Sequence, residues 1–188
     1  MKKAFTMIEL LVVMVVGAIL SAVAISKIHT GELIDAARSV ANDIRYVRIL
    51  ALGDDLYGVP NYHGEYYRIR FNKNLKSYKI INTPHKNIIV NDYIDSSKLI
   101  CDDSKPECVK RANLLNNFGV EISKFVPSKA SIYANPENDI IFNELGEPLN
   151  YDPASSGFQI ELKKNSEKVC ISVAEFTGFI EIEKAACK

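Results

Sequence analysis

The stretch that decides the fold is residues 2–26, KKAFTMIELLVVMVVGAILSAVAIS. Two lysines precede the 21 residues from Phe5 to Ile25, of which only Glu9 is charged. At about 1.5 Å rise per residue, this run forms a helix of roughly 30 Å, close to the thickness of the hydrocarbon core of a bilayer. It predicts a transmembrane helix with a single carboxylate inside it.

Lys2 and Lys3 predict the orientation of that helix. They are the only charged residues before the apolar run, so the positive-inside rule keeps them in the cytoplasm and sends the C-terminal part across the membrane. The exported part, about 160 residues, has the size of one ordinary domain and can bury a core. We therefore predict a single-pass protein whose C-terminal domain lies in an oxidising compartment.

All four cysteines lie beyond the apolar segment, at Cys101, Cys108, Cys170 and Cys187. Their spacings match no common zinc or redox motif, which favours disulfides in an exported domain. Three pairings are open. We favour Cys101–Cys108 because it closes the short polar loop CDDSKPEC, and Cys170–Cys187 then follows by elimination.

The charge balance gives no electrostatic case for nucleic-acid binding. Without the first four residues, which include Lys2 and Lys3, 21 basic residues stand against 23 acidic ones, a net charge of −2. Such a domain attracts no polyanion as a whole, although a local basic patch stays open.

Two simpler interpretations of residues 2–26 compete with a processed and retained helix. One is an ordinary signal peptide with a small-x-small site at Ala22-Val23-Ala24, which would make the chain a secreted binding domain or enzyme. The other is a plain uncleaved anchor. Glu9 counts against both, because a charge inside an apolar membrane segment is costly unless it is paired. The helical pattern also continues past Ala24.

The residues Ala4-Phe5-Thr6-Met7-Ile8-Glu9-Leu10-Leu11 resemble the start of type IV pilins and of the pseudopilins of type II secretion and DNA-uptake machines. In that family, prepilin peptidase cuts before the Phe on the cytoplasmic side, N-methylates the new terminus and leaves the apolar segment in the mature protein. The resemblance implies cleavage between Ala4 and Phe5 and N-methylation of Phe5. Ala4 is a small substitute for the Gly that the family usually has.

Glu9 then becomes the fifth mature residue, where the family keeps an acidic side chain. The new α-amino group of Phe5 is a cation, and pairing it with the Glu9 carboxylate of a neighbouring subunit lowers the cost of both charges in an apolar bundle. We predict that this pair sets the register between pilin-like subunits in a helical filament. The resemblance also implies an inner-membrane assembly platform, and a lipid bilayer that holds the subunit before assembly.

A second helical pattern follows Ser26. Its apolar residues recur at alternating spacings of four and three, which is typical of an amphipathic helix: Leu33, Ala37, Val40, Ile44, Val47 and Ala51. We predict that this segment continues the first one as a single long helix that ends near Gly53-Asp54.

From Tyr57 onward the period changes to two and turn residues divide the chain into short strands. The predicted strands are residues 66–71, 75–81, 120–126, 132–133, 139–143, 157–162, 168–174 and 178–183, with less regular runs at 86–90 and 93–100 and a helical turn at 112–118. The first two form a hairpin around an Asn-Lys-Asn turn. The predicted fold is α+β, a long N-terminal helix with a membrane half and an amphipathic half, packed on a C-terminal antiparallel β-sheet head.

The segment ANDIRYVRILAL and the series IIFNELGEP, FQIELKK and KVCISVAEFTGFIEI resemble minor pseudopilins of the H type and FimT-like proteins of type IV pilus systems. This resemblance implies a leader (1–4), a transmembrane and filament-core helix (5–26), an amphipathic continuation (27–53) and a periplasmic β-rich head (54–188). It implies a minor pseudopilin of a type II secretion pseudopilus in the bacterial inner membrane and periplasm. A minor pilin of a type IV pilus or DNA-uptake machine is the alternative within the family.

No motif predicts an enzyme or a cofactor. The chain contains no nucleophile elbow, P-loop or dinucleotide fingerprint, and His29, His63 and His85 are too widely spaced for a metal site. Acidic residues cluster between positions 92 and 107, at Asp92, Asp95, Asp102, Asp103 and Glu107. We interpret this cluster as a solvated acidic loop, with calcium binding as the less favoured alternative.

Tyrosines and arginines near the first strand suggest a second binding hypothesis. Bases could stack on the tyrosines while the arginines hold phosphates: Tyr57, Tyr62, Tyr66, Tyr67, Arg68 and Arg70. Cross-strand pairs on a polar strand face are favoured over this hypothesis because the domain is nearly neutral.

Overall fold

A computed structural model describes residues 7–53, 67–72, 74–82, 88–101, 105–126, 138–143, 145–149 and 157–187, with the backbone alone at residues 22–30, 88 and 126. The chain divides into two compact units, Met1–Glu32 and Leu33–Lys188, which we call the N-terminal and the C-terminal unit. The predicted strand at 132–133 lies outside the described residues.

Helix α1 runs from Met7 to Gly53, so the prediction of one long helix that ends near Gly53 is confirmed. In the C-terminal unit, all six residues of the predicted apolar stripe are buried. Ala36 and Ala41 are buried beside them and belong to the same core as the strands. This part of α1 owes its place in the core to a face built from small and β-branched side chains.

Eight strands and two short helical segments follow α1 in the described part of the chain. The strands are β1 (Tyr67–Phe71), β2 (Tyr78–Asn82), β3 (Ile88–Ile89), β4 (Glu121–Val126), β5 (Asp139–Ile141), β6 (Phe158–Lys164), β7 (Glu167–Val173) and β8 (Ile180–Glu183). A 3-10 helix covers Lys110–Ala112 and α2 covers Leu114–Phe118, at the position of the predicted helical turn. The α+β class and the antiparallel pairing are confirmed.

The strands form two four-stranded sheets, whereas the sequence predicted one. The first has the order β3-β2-β1-β5 and the second β4-β6-β7-β8. The difference arises at β5, which pairs antiparallel with β1 across a long sequence separation instead of joining the C-terminal strands. The Asp139 carboxylate of β5 accepts two hydrogen bonds from Arg70 of β1, at 2.7 and 2.8 Å, which stabilises this pairing.

The β1–β2 hairpin is confirmed, with Tyr67 opposite Asn82 and Phe71 opposite Tyr78. Its turn is longer than the predicted Asn-Lys-Asn, because β2 begins at Tyr78 and not at Leu75. Leu75 has a φ of 54° and therefore leaves the extended conformation. The Asn72 carboxamide organises the turn by accepting a hydrogen bond from the Lys76 amide at 3.0 Å.

Aromatic rings join the two sheets. Phe125 of β4 lies with its ring centroid 5.4 Å from that of Phe71 in β1 and 4.9 Å from that of Phe158 in β6, both in edge-on geometry. Edge-on aromatic pairs contribute about 0.5–1.5 kcal/mol beyond the burial of their area. The sheets and the second part of α1 therefore share one core.

Glu161 of β6 holds the C-terminus against the second sheet. Its carboxylate accepts hydrogen bonds from the Ser123 hydroxyl at 2.6 Å and from the Cys187 amide at 3.1 Å, and it pairs with Lys168 at 2.9 Å. Ser123 reaches it from an irregularity in the β4–β6 register between Ile122 and Lys124. The hydrogen bond from Ser123, followed by those from Lys168 and Cys187, outweighs burial and lowers the pKa of Glu161.

The structure contains two disulfides, Cys101–Cys108 and Cys170–Cys187, the pairing that the sequence favoured. The first joins residues 7 positions apart and closes the loop before the 3-10 helix. The second joins residues 17 positions apart and ties the C-terminus to β7. Both bonds therefore restrain segments that lie outside the regular sheets.

We expect the Cys170→Ala/Cys187→Ala double variant to lose about 3 kcal/mol of unfolding free energy, because the broken bond closes a 17-residue loop. The matched Cys101→Ala/Cys108→Ala variant opens a shorter loop and should lose about 2 kcal/mol. Urea unfolding of the purified full chain in detergent, monitored by far-UV circular dichroism, measures the unfolding free energy of both variants. A loss below about 1 kcal/mol for the first variant would contradict a structural role for that disulfide.

Candidate assembly site

The first part of α1 presents apolar side chains on all of its faces. Every residue from Met7 to Ser21 is exposed, including large side chains such as Met7 at 90% and Leu20 at 64%. The Ser21 hydroxyl donates to the Gly17 carbonyl at 2.8 Å, so this polar group is satisfied within the helix. An apolar surface that surrounds a helix is found where lipid or other helices cover it.

Glu9 lies in the first turn of α1. The helix macrodipole favours a negative charge at that end. The predicted processing site, Ala4 and Phe5, lies outside the described residues. The predicted pair between Glu9 and the Phe5 amino group therefore stays a prediction.

Among the residues that the structure describes, no helix is long and apolar enough to cross a membrane.

A buried polar cluster connects α1 to the irregular part of the C-terminal unit. Asp43 of α1 has no exposed surface, and its carboxylate accepts a hydrogen bond from the Tyr78 hydroxyl of β2 at 2.6 Å. Arg111 of the 3-10 helix donates to the same carboxylate at 3.0–3.3 Å and also pairs with Asp92. We call Asp43, Tyr78, Asp92 and Arg111 the Asp43 network.

The pKa shifts in the Asp43 network follow from burial and from Arg111. Burial raises the pKa of Asp43, and the hydrogen bonds and charge of Arg111 oppose that rise without cancelling it. Burial also acts on Asp92, but there the hydrogen bond and charge of Arg111 prevail and lower the pKa. Burial lowers the pKa of Arg111 by less than Asp92 and Asp43 raise it, so the guanidinium stays charged.

Two tyrosines cover the network from the solvent side. The Arg111 guanidinium carbon lies 4.8 Å from the centroid of the Tyr93 ring, a cation–π contact, and the Tyr46 and Tyr93 rings lie 4.9 Å apart. Burial, followed by the charge of Asp43, raises the pKa of Tyr93 to about 12. Tyr93 therefore packs on the charged end of Arg111, and Tyr46 packs on Tyr93.

The predicted solvated acidic loop is only partly correct. Asp92 is buried and paired with Arg111, so it belongs to the interior and not to a solvated loop. Asp95 is exposed, and its carboxylate caps the local turn by accepting from the Ser97 amide at 3.1 Å. Glu107 is exposed, and Asp102 and Asp103 lie outside the described residues. Among the described residues, no three His, Cys, Asp or Glu side chains are grouped to hold a metal ion.

The two arginines of the nucleic-acid hypothesis contact a carboxylate within the protein. Their strand was predicted to have a polar face, but neither arginine side chain is fully exposed there. Arg68 is buried and lies 3.4 Å from the Asp139 carboxylate. Arg70 is half-buried and binds both oxygens of the same carboxylate. These guanidinium groups are committed to Asp139, which leaves a phosphate little access to them. Tyr57, Tyr62, Tyr66, His63 and His85, and the side chain of His29, lie outside the described residues.

Sequence reasoning missed the Asp43 network. A signal was present, because Asp43 follows Val40 by three positions and precedes Val47 by four, which places its side chain on the buried face of α1. Its partner Arg111 is 68 positions away and follows a disulfide loop, so no local pattern connects the two. Within the C-terminal unit, the network connects α1 to β2 and to the 3-10 helix.

The model for the prokaryotic N-terminal methylation motif matches residues 1–25. The matched part includes Ala4, Phe5 and Glu9, together with the whole exposed apolar segment Met7–Ser21 of α1. The motif supports a type IV pilin-like protein that prepilin peptidase processes and that assembles with other pilins. Comparison with curated proteins and with solved structures gives no match.

We expect Asp43→Ala to lower the unfolding free energy by about 2–4 kcal/mol, because the buried Tyr78 hydroxyl loses its acceptor and Arg111 loses one of two carboxylates. Asp35→Ala is a matched control on the same helix, because Asp35 forms an exposed pair with Arg38 at 3.6 Å. It should change stability by less than about 0.5 kcal/mol. Equal urea midpoints for the two variants would rule out a structural role for the Asp43 network.

Proposed function

We propose that this chain is a non-enzymatic structural subunit, a minor pseudopilin of a periplasmic type II secretion pseudopilus. The observation that supports the proposal most directly is the exposed apolar segment Met7–Ser21 together with the methylation motif that contains it. A surface of that kind needs a cover of lipid or of like helices. In a pilin-like subunit, lipid covers this surface in the membrane, and the helices of other subunits cover it in the filament.

In this proposal, the leader (1–4) is removed by prepilin peptidase and Phe5 is N-methylated. Residues 5–26 anchor the subunit in the inner membrane with a single pass and then form the filament core. Residues 27–53 continue the helix, and residues 54–188 form the periplasmic head with its two disulfides. An inner-membrane platform supplies the work of extraction, and no cofactor is required.

The proposed role of Glu9 is assembly. Its carboxylate pairs with the α-amino group of Phe5 in a neighbouring subunit, and this pair selects one axial register. The charge is tolerated because each ion compensates the other where the surroundings are apolar. The position of Glu9 in the first turn of α1 supports this role, since the macrodipole adds to the positive potential at that helix end.

The pseudopilin assignment rests on the resemblance of the C-terminal segments IIFNELGEP and KVCISVAEFTGFIEI to minor pseudopilins of the H type. The methylation motif is equally compatible with a minor pilin of a type IV pilus or DNA-uptake machine. Deletion of the gene distinguishes the two machines. Loss of protein secretion with normal piliation and DNA uptake supports the pseudopilin, and the reverse pattern supports the pilus subunit.

We expect mass spectrometry of the mature protein to find N-methylated Phe5 as the first residue. The protein is purified from the membrane fraction of cells with an intact prepilin peptidase, and cells that lack the peptidase are the control. An N-terminus at Ile25 would instead identify an ordinary signal peptide and overturn the proposal in favour of a secreted domain.

We expect Glu9→Ala and Glu9→Leu to insert into the membrane and to be processed at wild-type levels, yet to be at least tenfold depleted from the filament fraction. Glu9→Asp keeps the carboxylate and is the matched control that should retain most of the assembly. Shearing and sedimentation, followed by immunoblotting of filament and membrane fractions, measure the distribution. Normal incorporation of Glu9→Leu would contradict the assembly role.

A further inference from the structure

Three segments that carry exposed apolar residues meet near Arg48, Gly146 and Gly178 in the C-terminal unit. Of the eight large apolar residues that are exposed in the described part of residues 33–187, five belong to these segments. We call them the tip patch: Ile49, Leu52, Leu145, Phe176 and Phe179. The largest exposed fractions are 67% at Leu145 and 66% at each Phe.

The loop around Gly146 and the loop around Gly178 approach each other beside α1. The Arg48 Nε group donates to the Gly146 carbonyl at 3.1 Å, next to Leu145 in the chain. A Cβ atom on Gly178 would lie 2.4 Å from the same carbonyl, so the loop that carries Phe176 and Phe179 approaches the Gly146 loop closely. A Cβ atom on Gly146 would in turn lie 3.2 Å from Leu52.

The tip patch is preorganised. Gly146 has a φ of 74° and Gly178 a φ of 61°, conformations that glycine adopts at low cost. Arg45 donates to the Ile180 carbonyl at 3.1 Å, which ties the β7–β8 connection to α1 as Arg48 ties the Gly146 loop. Apolar side chains that a fixed backbone holds in solvent lose little further entropy on binding.

The area of the tip patch indicates an interface of limited size. Its exposed apolar surface is on the order of 600 Å², at the upper end of the largest patches on monomers. Stable independent complexes bury about 800 Å² on each partner. The tip patch is therefore suited to a partner that another contact already holds nearby, because tethering raises the effective concentration.

The charges around the tip patch favour a protein partner over a membrane or a nucleic acid. Arg45 and Arg48 contact the backbone of the two loops, while Glu175 precedes Phe176 and Glu181 follows Phe179 by two positions. A surface for anionic lipid or for phosphates would have a rim of basic residues alone. A rim with both signs matches a protein surface that also contains both.

We infer that the tip patch is the contact surface for the C-terminal unit of a neighbouring pilin-like subunit in the same filament. This inference rests on the proposed function, because helix assembly provides the tether that a patch of this area needs. Phe176 and Phe179 act as the aromatic anchors of the contact. The partner is chemically a folded domain with an apolar patch and charges of both signs, held beside this chain by its own N-terminal helix.

The first test places a photo-crosslinking phenylalanine analogue at position 179 of the full chain in its native host. Mass spectrometry of the adduct is expected to identify a protein with an N-methylated pilin-like N-terminus. The analogue at position 94 is the control, because Ile94 is 75% exposed but lies outside the tip patch. Adducts with lipid, with a protein of another class, or at equal yield from position 94 would overturn the inference.

The second test compares the Phe176→Ser/Phe179→Ser variant with Ile94→Ser. Both are expected to yield processed protein with intact disulfides, and the double variant should be at least tenfold depleted from the filament fraction. Equal incorporation of the two would overturn the inference. The analogue at position 145 leaves both aromatic anchors unchanged, so it keeps the inference testable if the double variant does not fold.

Glu9→Leu separates this inference from the proposed function. If both are correct, the adduct at position 179 disappears in that variant, because the tether is lost. If unmethylated protein gives the adduct at wild-type yield, the proposed function fails while a contact at the tip patch remains. If methylated wild-type subunits assemble without the adduct, the proposed function holds and the inference fails.

Discussion

The ion pair between Asp43 and Arg111 is the contact that connects the irregular segment 91–112 of the C-terminal unit to α1. Asp43 lies on the buried face of α1, where a lone carboxylate would be costly. Arg111 compensates it from the 3-10 helix, and Asp92 reaches the same guanidinium from the segment that precedes the first disulfide. The described residues of 91–101 and 105–112 form no strand, and the pairs that Arg111 makes with Asp43 and Asp92 connect this segment to the helix.

Helix α1 meets two different requirements along its length. From Leu33 to Ala51 its apolar face is covered by the strands of the C-terminal unit. From Met7 to Ser21 the side chains are exposed, and the proposed function covers them with lipid or with other helices. The same division separates stability from assembly. Changes on the buried face are expected to lower the unfolding free energy, whereas in the proposed function changes near Glu9 act on the assembly of subunits.

Local patterns were sufficient for several elements of the fold. The spacing of Leu33, Val40 and Val47 predicted the buried face of α1, and period-two runs located β1, β4, β6, β7 and β8. They were not sufficient for pairing across long separations. β5 lies beside β1, where Asp139 pairs with Arg70, 69 positions away in the chain, and the strands form two sheets. The burial of Asp92 was not predicted for the same reason, because an acidic residue in a polar segment is typical of a solvated loop.

The sequence by itself determined the N-terminal features of this protein: the apolar run, Glu9 within it and the methylation motif that residues 1–25 match. These features are local, so residue type and spacing express them completely. Tertiary structure alone decided which charges are buried, where Arg111 finds its carboxylates, and which apolar side chains remain exposed around Gly146 and Gly178. Burial and charge pairing depend on residues that are distant in the chain, and only the folded backbone brings those residues within contact distance.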